Sequence, residues 1–157
     1  MKPRVYIETT IVSYLAARPS RDRIVSGRQA LTEEWWRTRR PLFEVVASEL
    51  VAEEAEEGDP EAAKRRLDYL SGIDSLATSD LAVSLAEALV DEGPIPREYD
   101  EDALHIALCA VNGVDFLMTW NCRHLANATL RDDVRAVVEN RGFRCPVICT
   151  PEELMEG

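Results

Sequence analysis

Lysine is almost missing from this chain: only Lys2 and Lys64 occur among 157 residues, so arginine supplies nearly all of the 18 basic positions. Aspartate and glutamate number 29, and the net charge is −11. Bulk electrostatic binding of nucleic acid relies on Lys and Arg neutralising phosphates, so that mode is excluded and any nucleic-acid role must be local. The arginines cluster at residues 18–28, 37–40 and 65–66, as candidate phosphate contacts or as solvated helix faces. No stretch approaches the ~18 apolar residues of a membrane span, and Met1-Lys-Pro-Arg-Val-Tyr-Ile-Glu8 has no apolar signal-peptide core. A cytoplasmic location with no membrane partner is expected. Cysteine is scarce, at 109, 122, 145 and 149 without a Cys-x-x-Cys pair, which favours buried reduced thiols over a disulfide framework. A zinc set of Cys122, His124, Cys145 and Cys149 can be drawn, but its spacing fits no common finger.

What is present is alternation. Strand-length apolar runs at residues 4–8, 42–46, 73–77, 114–119 and 146–149 are separated by helical stretches. The helices carry their own start and stop signals: Thr9 and Thr10 before Ile11, Ser48 before Glu49 with Gly58 after, Asp59-Pro60 with Gly72 after, and Ser79 or Asp80 with Gly93-Pro94 after. A longer helix over residues 21–39 carries Ile24, Leu31, Trp35 and Trp36, the tryptophans reading as packing groups, and another spans residues 129–140. Thr150-Pro-Glu-Glu153 is a further helix start. This order predicts one α/β domain over residues 1–157, with three α/β/α layers around a mainly parallel sheet of four to five strands.

The organising stretch is residues 99–125. Asp100 opens a helix that Gly113 ends, apolar on almost every face except at His105, and a buried strand follows at once to finish near Trp120 and Asn121. Asp102 falls in the first turn, where the helix dipole favours an ionised carboxylate. Glu8 closes the first strand, at the sheet edge where open α/β folds bind ligands. Glu49, Glu53 and Glu54 lie on the acidic helix after the second strand; periodicity alone leaves open which of them points inward.

Four segments carry a resemblance: Tyr6-Ile-Glu-Thr-Thr-Ile-Val-Ser-Tyr14, Ser48-Glu-Leu-Val-Ala-Glu-Glu54, Asp102-Ala-Leu-His-Ile-Ala107 and Leu117-Met-Thr-Trp-Asn121. In this order they resemble the four motifs of PIN-domain proteins, particularly VapC-like toxins. The resemblance implies a PIN-like fold and a Mg²⁺- or Mn²⁺-dependent endoribonuclease acting on RNA, with Glu8, Glu54, Asp102 and Asn121 as site residues and the first three as metal ligands. It also implies a small antitoxin protein as partner and leaves room for a homodimer. In the second motif the acid usually precedes an apolar residue, which favours Glu54 before Ala55 over Glu53 and Glu49. Two departures stand out: Glu8 replaces the usual Asp of the first motif, and Asn121 stands where the fourth often has Asp.

The chemistry needs such a cluster. A phosphodiester is anionic, so carboxylates that would repel it become useful only by holding a divalent cation, which activates a water and offsets transition-state charge. Hard cations select oxygen ligands, so His105, one turn after Asp102, reads as a packing or supporting group. Receiver-like and haloacid-dehalogenase-like domains also gather acids at this edge but need a lysine there, and Lys2 and Lys64 are poorly placed. The remaining rival is a PIN-like module without catalysis, suggested by Asn121 and the acidic surface. The sequence predicts that Glu8, Glu54 and Asp102 meet beside Asn121; carboxylates more than ~10 Å apart could not share one hard cation at 2.0 to 2.6 Å, directly or through a water.

Overall fold

The structure is a computed structural model that describes residues 1–156. The apolar runs form five short strands, β1 (Arg4–Ile7), β2 (Glu44–Ser48), β3 (Asp74–Leu76), β4 (Phe116–Met118) and β5 (Val147–Cys149). Between them lie seven α-helices: α1 (Thr9–Ala16), α2 (Arg23–Glu34), α3 (Glu49–Ala55), α4 (Pro60–Leu70), α5 (Asp80–Asp91), α6 (Asp100–Val111) and α7 (Ala128–Asn140). The strands pair in the order β3-β2-β1-β4-β5, and all four pairings are parallel. The sheet expected to be mainly parallel is wholly so among the described residues.

Right-handed crossovers decide where the helices go. The chain steps outward from β1 to β2 to β3, which sends α1 to α4 to one face; it then returns past β1 to β4 and β5, which sends α5 to α7 to the other. The helices accordingly pack among themselves in two groups, α1 with α2, α3 and α4, and α5 with α6 and α7. Covered on both faces, the central strands are apolar apart from Arg4 at the start of β1: Val5, Tyr6, Ile7, Leu117 and Met118 are all fully buried. The strand order reverses between β1 and β4, and the ground beyond their carboxyl ends is where an open parallel sheet forms its ligand crevice.

Several boundaries differ from those read in the sequence. Strand β2 begins two residues later than expected, because Pro41 sits in a 3-10 turn (Arg40–Leu42) that must finish before the backbone can extend. The long helix of residues 21–39 is regular only through Glu34 and widens into a π turn at Trp35–Arg39. Trp35 packs on Phe43 at 5.6 Å and Trp36 on Tyr69 at 5.7 Å between ring centroids, so both tryptophans pack. The cap of α1 is Glu8 and not a threonine. Asp100 is the first residue of α6 and caps nothing, since a 3-10 turn (Arg97–Tyr99) leads into that helix. Thr150-Pro-Glu-Glu153 yields a single 3-10 turn, Glu152–Leu154, with Glu153 accepting from Thr150 N at 3.1 Å.

The turn from α6 into β4 has to be abrupt, because the next strand lies at the centre of the sheet. Gly113 supplies it at φ +66, a backbone region that side chains disfavour. Of the cysteines, Cys109 and Cys149 are buried and Cys145 is half-buried, but Cys122 is exposed, contrary to the expectation of buried thiols; it lies in the turn after β4, where no strand covers it. Among the described residues no helix is long and apolar enough to cross a membrane. Leu117 faces the core from the strand that borders the crevice, so Leu117→Ala is expected to cost about 2–5 kcal/mol, read as a lowered urea midpoint.

Candidate active site

Glu8 follows β1 directly and turns back to cap α1, the residue as a whole only 5% exposed. The longer side chain brings Oε1 within reach of three donors: Thr10 Oγ1 at 2.5 Å, Thr119 Oγ1 at 2.6 Å and Thr10 N at 3.2 Å. Thr119 is the first residue past β4, so these bonds join the ends of the two strands that flank the crevice. The threonines are themselves fixed, because Trp120 N donates to Thr10 Oγ1 and Asn121 N to Thr119 Oγ1, both at 2.9 Å. Neither Thr10 nor Thr119 was singled out for this role by the sequence.

Helix α3 presents three acids in different directions. Glu53 is exposed, and Glu49 accepts from Thr78 N at 3.3 Å on the far side. Glu54 lies i+4 from Leu50 and i+3 from Val51, both buried, so it shares the inward face. There its Oε1 accepts from Thr9 Oγ1 at 2.5 Å and from His105 Nε2 at 2.7 Å. Burial would raise the Glu54 pKa, but the hydrogen bond and the charge of His105 outweigh it and hold the carboxyl down at about 2. Burial likewise works against protonating His105, yet the bond to Glu54 and the charges of Glu8, Glu54 and Asp102 win, and its pKa is raised. His105 is fully buried, with Nδ1 2.6 Å from Tyr6 OH. Ligand atoms of Glu8, Glu54 and His105 lie within 4.8 Å of one another, the one such group among the described residues. The Cys122, His124, Cys145 and Cys149 set does not form one.

Asp102 comes from the first turn of α6, and its Oδ1 accepts from Asn121 Nδ2 at 3.3 Å. The orientation of that amide is dictated by its other partner: His124 N donates to Asn121 Oδ1 at 3.0 Å, so the oxygen must face the backbone and the NH₂ must face Asp102. The ring of His124 stacks on Tyr99, the residue before α6, at 3.8 Å between centroids. Asp102 does not behave as its helix position suggests. Burial, with added repulsion from Glu8 and Glu54, raises its pKa against the pull of the imidazoles. A first-turn dipole is worth a fraction of a kcal/mol when exposed, and desolvation beside other acids exceeds it. The structure thus joins Glu8 to Glu54, and Asp102 to Asn121, at one sheet edge; the Asp102 carboxylate is not part of the compact Glu8, Glu54 and His105 group.

No family model matches the chain, and no curated protein matches it in sequence. Solved structures do match in shape. The structure of VapBC2 from Rickettsia felis, bound to a DNA fragment from its promoter, superposes with a TM-score of 0.53 at 15% identity, over 94% of this chain and 98% of that one. VapC20 of Mycobacterium tuberculosis, described as a sarcin-ricin loop cleaving toxin, superposes with a TM-score of 0.55 at 18% identity, over 88% and 95%. The fold is PIN-like.

Within this PIN-like fold the arginine clusters divide by role. Arg65 donates to Ala16 O at 3.1 Å and Arg66 to Ala55 O at 3.0 Å, tying α4 to α1 and α3. Arg40 lies over Trp36, 4.5 Å from the ring centroid. Arg28 differs: it sits over Trp120, 5.2 Å from the ring centroid, beside the loop that carries Asn121. A further group absent from the sequence reading is Glu101. Shared hydrogen bonding with Glu54 pushes its pKa up to about 7, helped by burial and by the Glu54 charge. Its place next to Asp102 was the available signal.

These shifts set a pH dependence. The lowered Glu54 adds stability above its ordinary value of 4.5 that is lost as pH falls towards about 2. Glu101 and Asp102 act in the opposite sense: their raised values let the folded state keep protons that the unfolded chain has released, so stability falls as pH rises, for Glu101 between 4.5 and about 7. His105 adds stability below its ordinary value of 6.5 that is lost as pH rises through its raised folded value. Without divalent metal, stability is therefore expected to decline as pH rises from 4.5 to about 7 through Glu101, and further above 6.5 through His105. Glu101→Gln should flatten that decline, since the amide donates to Glu54 at every pH; urea midpoints across the range check this, and an equally steep decline in the variant would remove Glu101 from the explanation.

Proposed function

We propose that the chain is a divalent-metal-dependent endoribonuclease that hydrolyses RNA phosphodiester bonds, the toxin of a toxin–antitoxin pair acting in the cytoplasm. One observation carries this reading: ligand atoms of Glu8, Glu54 and His105 lie within 4.8 Å of one another, the charges of Glu8 and Glu54 reach Asp102, and none of the three acids is paired with a Lys or Arg among the described residues. Burying a carboxylate beside other acids is costly; His105 offsets that cost for Glu54, and the raised pKa of Asp102 records what is left. A divalent cation relieves it. The group around the acids holds carboxylates, hydroxyls and the His105 imidazole with no thiolate, which fits Mg²⁺ or Mn²⁺ held by the oxygens of Glu8, Glu54 and Asp102. Likeness to a structure described as a sarcin-ricin loop cleaving toxin supports RNA as substrate, and likeness to VapBC2 supports pairing with a small antitoxin protein.

In this reading a bound cation supplies a water of lowered pKa and offsets charge on the phosphorane-like transition state. The residues of the chain prepare the place. Thr10 and Thr119 fix one oxygen of Glu8, and the other has no donor among the described residues, which leaves it for a ligand role. Asn121 donates to Asp102 and carries no charge itself, so it orients that carboxylate instead of adding a further one. Arg28, on its tryptophan platform at the rim, is placed to meet a substrate phosphate. An antitoxin would close the site by presenting an Arg or Lys to Glu8 and Asp102 in place of the cation. A homodimer is compatible with this arrangement.

The turned amide of Asn121 also favours a second reading, in which one carboxylate fewer leaves a binding module without catalysis. The two separate in one assay: RNA cleavage by the metal-stripped chain with Mg²⁺ or Mn²⁺ restored. Glu8→Gln and Asp102→Asn are each expected to lower the metal-dependent rate by ~100-fold or more with the circular dichroism spectrum unchanged, the scale of several kcal/mol of charge stabilisation. No cleavage with either ion would establish the module reading. An Asp102→Asn protein that unfolds readily yet cleaves normally when folded would make Asp102 a structural group alone.

A further inference from the structure

Two hydroxyls buried inside the fold reach the acidic site without touching it. Tyr6 lies in β1 and is fully buried, so its phenol must find partners within the protein. Its oxygen is 2.6 Å from His105 Nδ1 and 2.7 Å from Ser48 Oγ, and Ser48 Oγ accepts from Val51 N at 3.1 Å as the cap of α3. At the other end of the imidazole, Nε2 is 2.7 Å from Glu54 Oε1. An ionised carboxylate only accepts, so Nε2 carries a proton. In the neutral ring Nδ1 is then an acceptor, Tyr6 O–H donates to it, and the Tyr6 oxygen takes the Ser48 hydroxyl proton. With the ring neutral the donors run one way, from Ser48 through Tyr6 and His105 to Glu54; with the ring protonated Nδ1–H donates to the Tyr6 oxygen, and the same bonds hold the ring in the same place. The chain of bonds leaves α3 at its cap, crosses β1 and α6, and returns to the last turn of the same helix.

We propose that Tyr6 and Ser48 are positioning residues for the cation site: by bonding to Nδ1 of His105 they fix the ring so that Nε2–H points at Glu54 and so hold that carboxylate in the orientation that a divalent ion requires. The proposal rests on the divalent-metal reading of the site. His105 is then an orienting group and no ligand, since both ring nitrogens are committed. Outer partners of this kind fix the tautomer of an imidazole and the direction of what it holds, and their loss typically weakens metal binding by about 10–100-fold. The competing account is a satisfied core hydrogen-bond chain that contributes to stability alone.

Tyr6→Phe tests this, since it keeps the ring and removes the hydroxyl, with Ser48→Ala as a second variant. Two readouts are taken on the full chain. One is Mn²⁺ affinity of the metal-stripped protein by isothermal titration calorimetry. The other is the imidazole tautomer from long-range ¹H–¹⁵N correlation at alkaline pH, a simple spectrum because His105 and His124 are the only histidines. The native His105 is expected as the Nε2–H tautomer. Tyr6→Phe should mix in the other tautomer and weaken Mn²⁺ binding by about 10–100-fold while the circular dichroism spectrum stays native; Ser48→Ala should weaken it in the same direction by less. A folded Tyr6→Phe protein with native Mn²⁺ affinity overturns the proposal, as does a native Nδ1–H tautomer. Should Tyr6→Phe not fold, an unchanged Mn²⁺ affinity in Ser48→Ala overturns it. A native chain that takes up no Mn²⁺ overturns the metal reading instead, and an unshifted His105 spectrum in Tyr6→Phe then overturns the relay by itself.

Discussion

Carboxylates gathered at one end of two neighbouring strands repel one another, and most of the polar structure around the crevice serves to hold them there. Glu8 takes three donors on one oxygen, Glu54 takes a hydroxyl and an imidazole, and Asp102 takes an amide. Each donor stabilises an ionised group that burial would otherwise neutralise. The donors come from α1, α6 and the loop after β4, so the whole switch point is knitted together by what the acids need. Removing any one element would leave a buried carboxylate short of partners, which costs more than the bond itself contributes.

The compensation is incomplete, and the incompleteness is informative. Glu54 is held far on the anionic side by His105, while burial pushes Asp102, and shared hydrogen bonding with Glu54 pushes Glu101, towards protonation. A site designed for stability alone would place an arginine among these acids, and 16 arginines are available in the chain. They are used elsewhere, as ties between helices and as a cation over an aromatic face. Strain of this sort is common where a fold prepares a place for a ligand. Asn121 fits the same logic: at a position that faces Asp102, an amide relieves the repulsion that a carboxylate would have added.

Much of the fold was legible because its signals are local. The capping residues Ser48, Asp59 and Ser79 act within their own helices, and Gly72, Gly113 and Gly142 end theirs at positive φ. Boundaries failed where a neighbour in space intervened. Pro41 delayed β2, and Glu8 displaced the threonines as a cap because its carboxylate also serves β4. Within α3, periodicity left Glu49, Glu53 and Glu54 open, although the buried pair Leu50 and Val51 singles out Glu54 once the inward face is known.

Taken by itself, the sequence determined the alternation of strands and helices, the parallel sheet that such alternation demands, and the arrival of Glu8 and Asn121 at strand ends and of Asp102 in a first turn. Those follow from periodicity, caps and chain order, which each segment carries within itself. Only the tertiary structure decided the charge state and orientation of the same groups. Thr119 donates to Glu8 across 111 residues and His105 to Glu54 across 51, while burial of Asp102 reverses the preference that its own helix would set. Hydrogen bonds and desolvation act through space between residues that the chain keeps far apart, so no reading of one segment contains them.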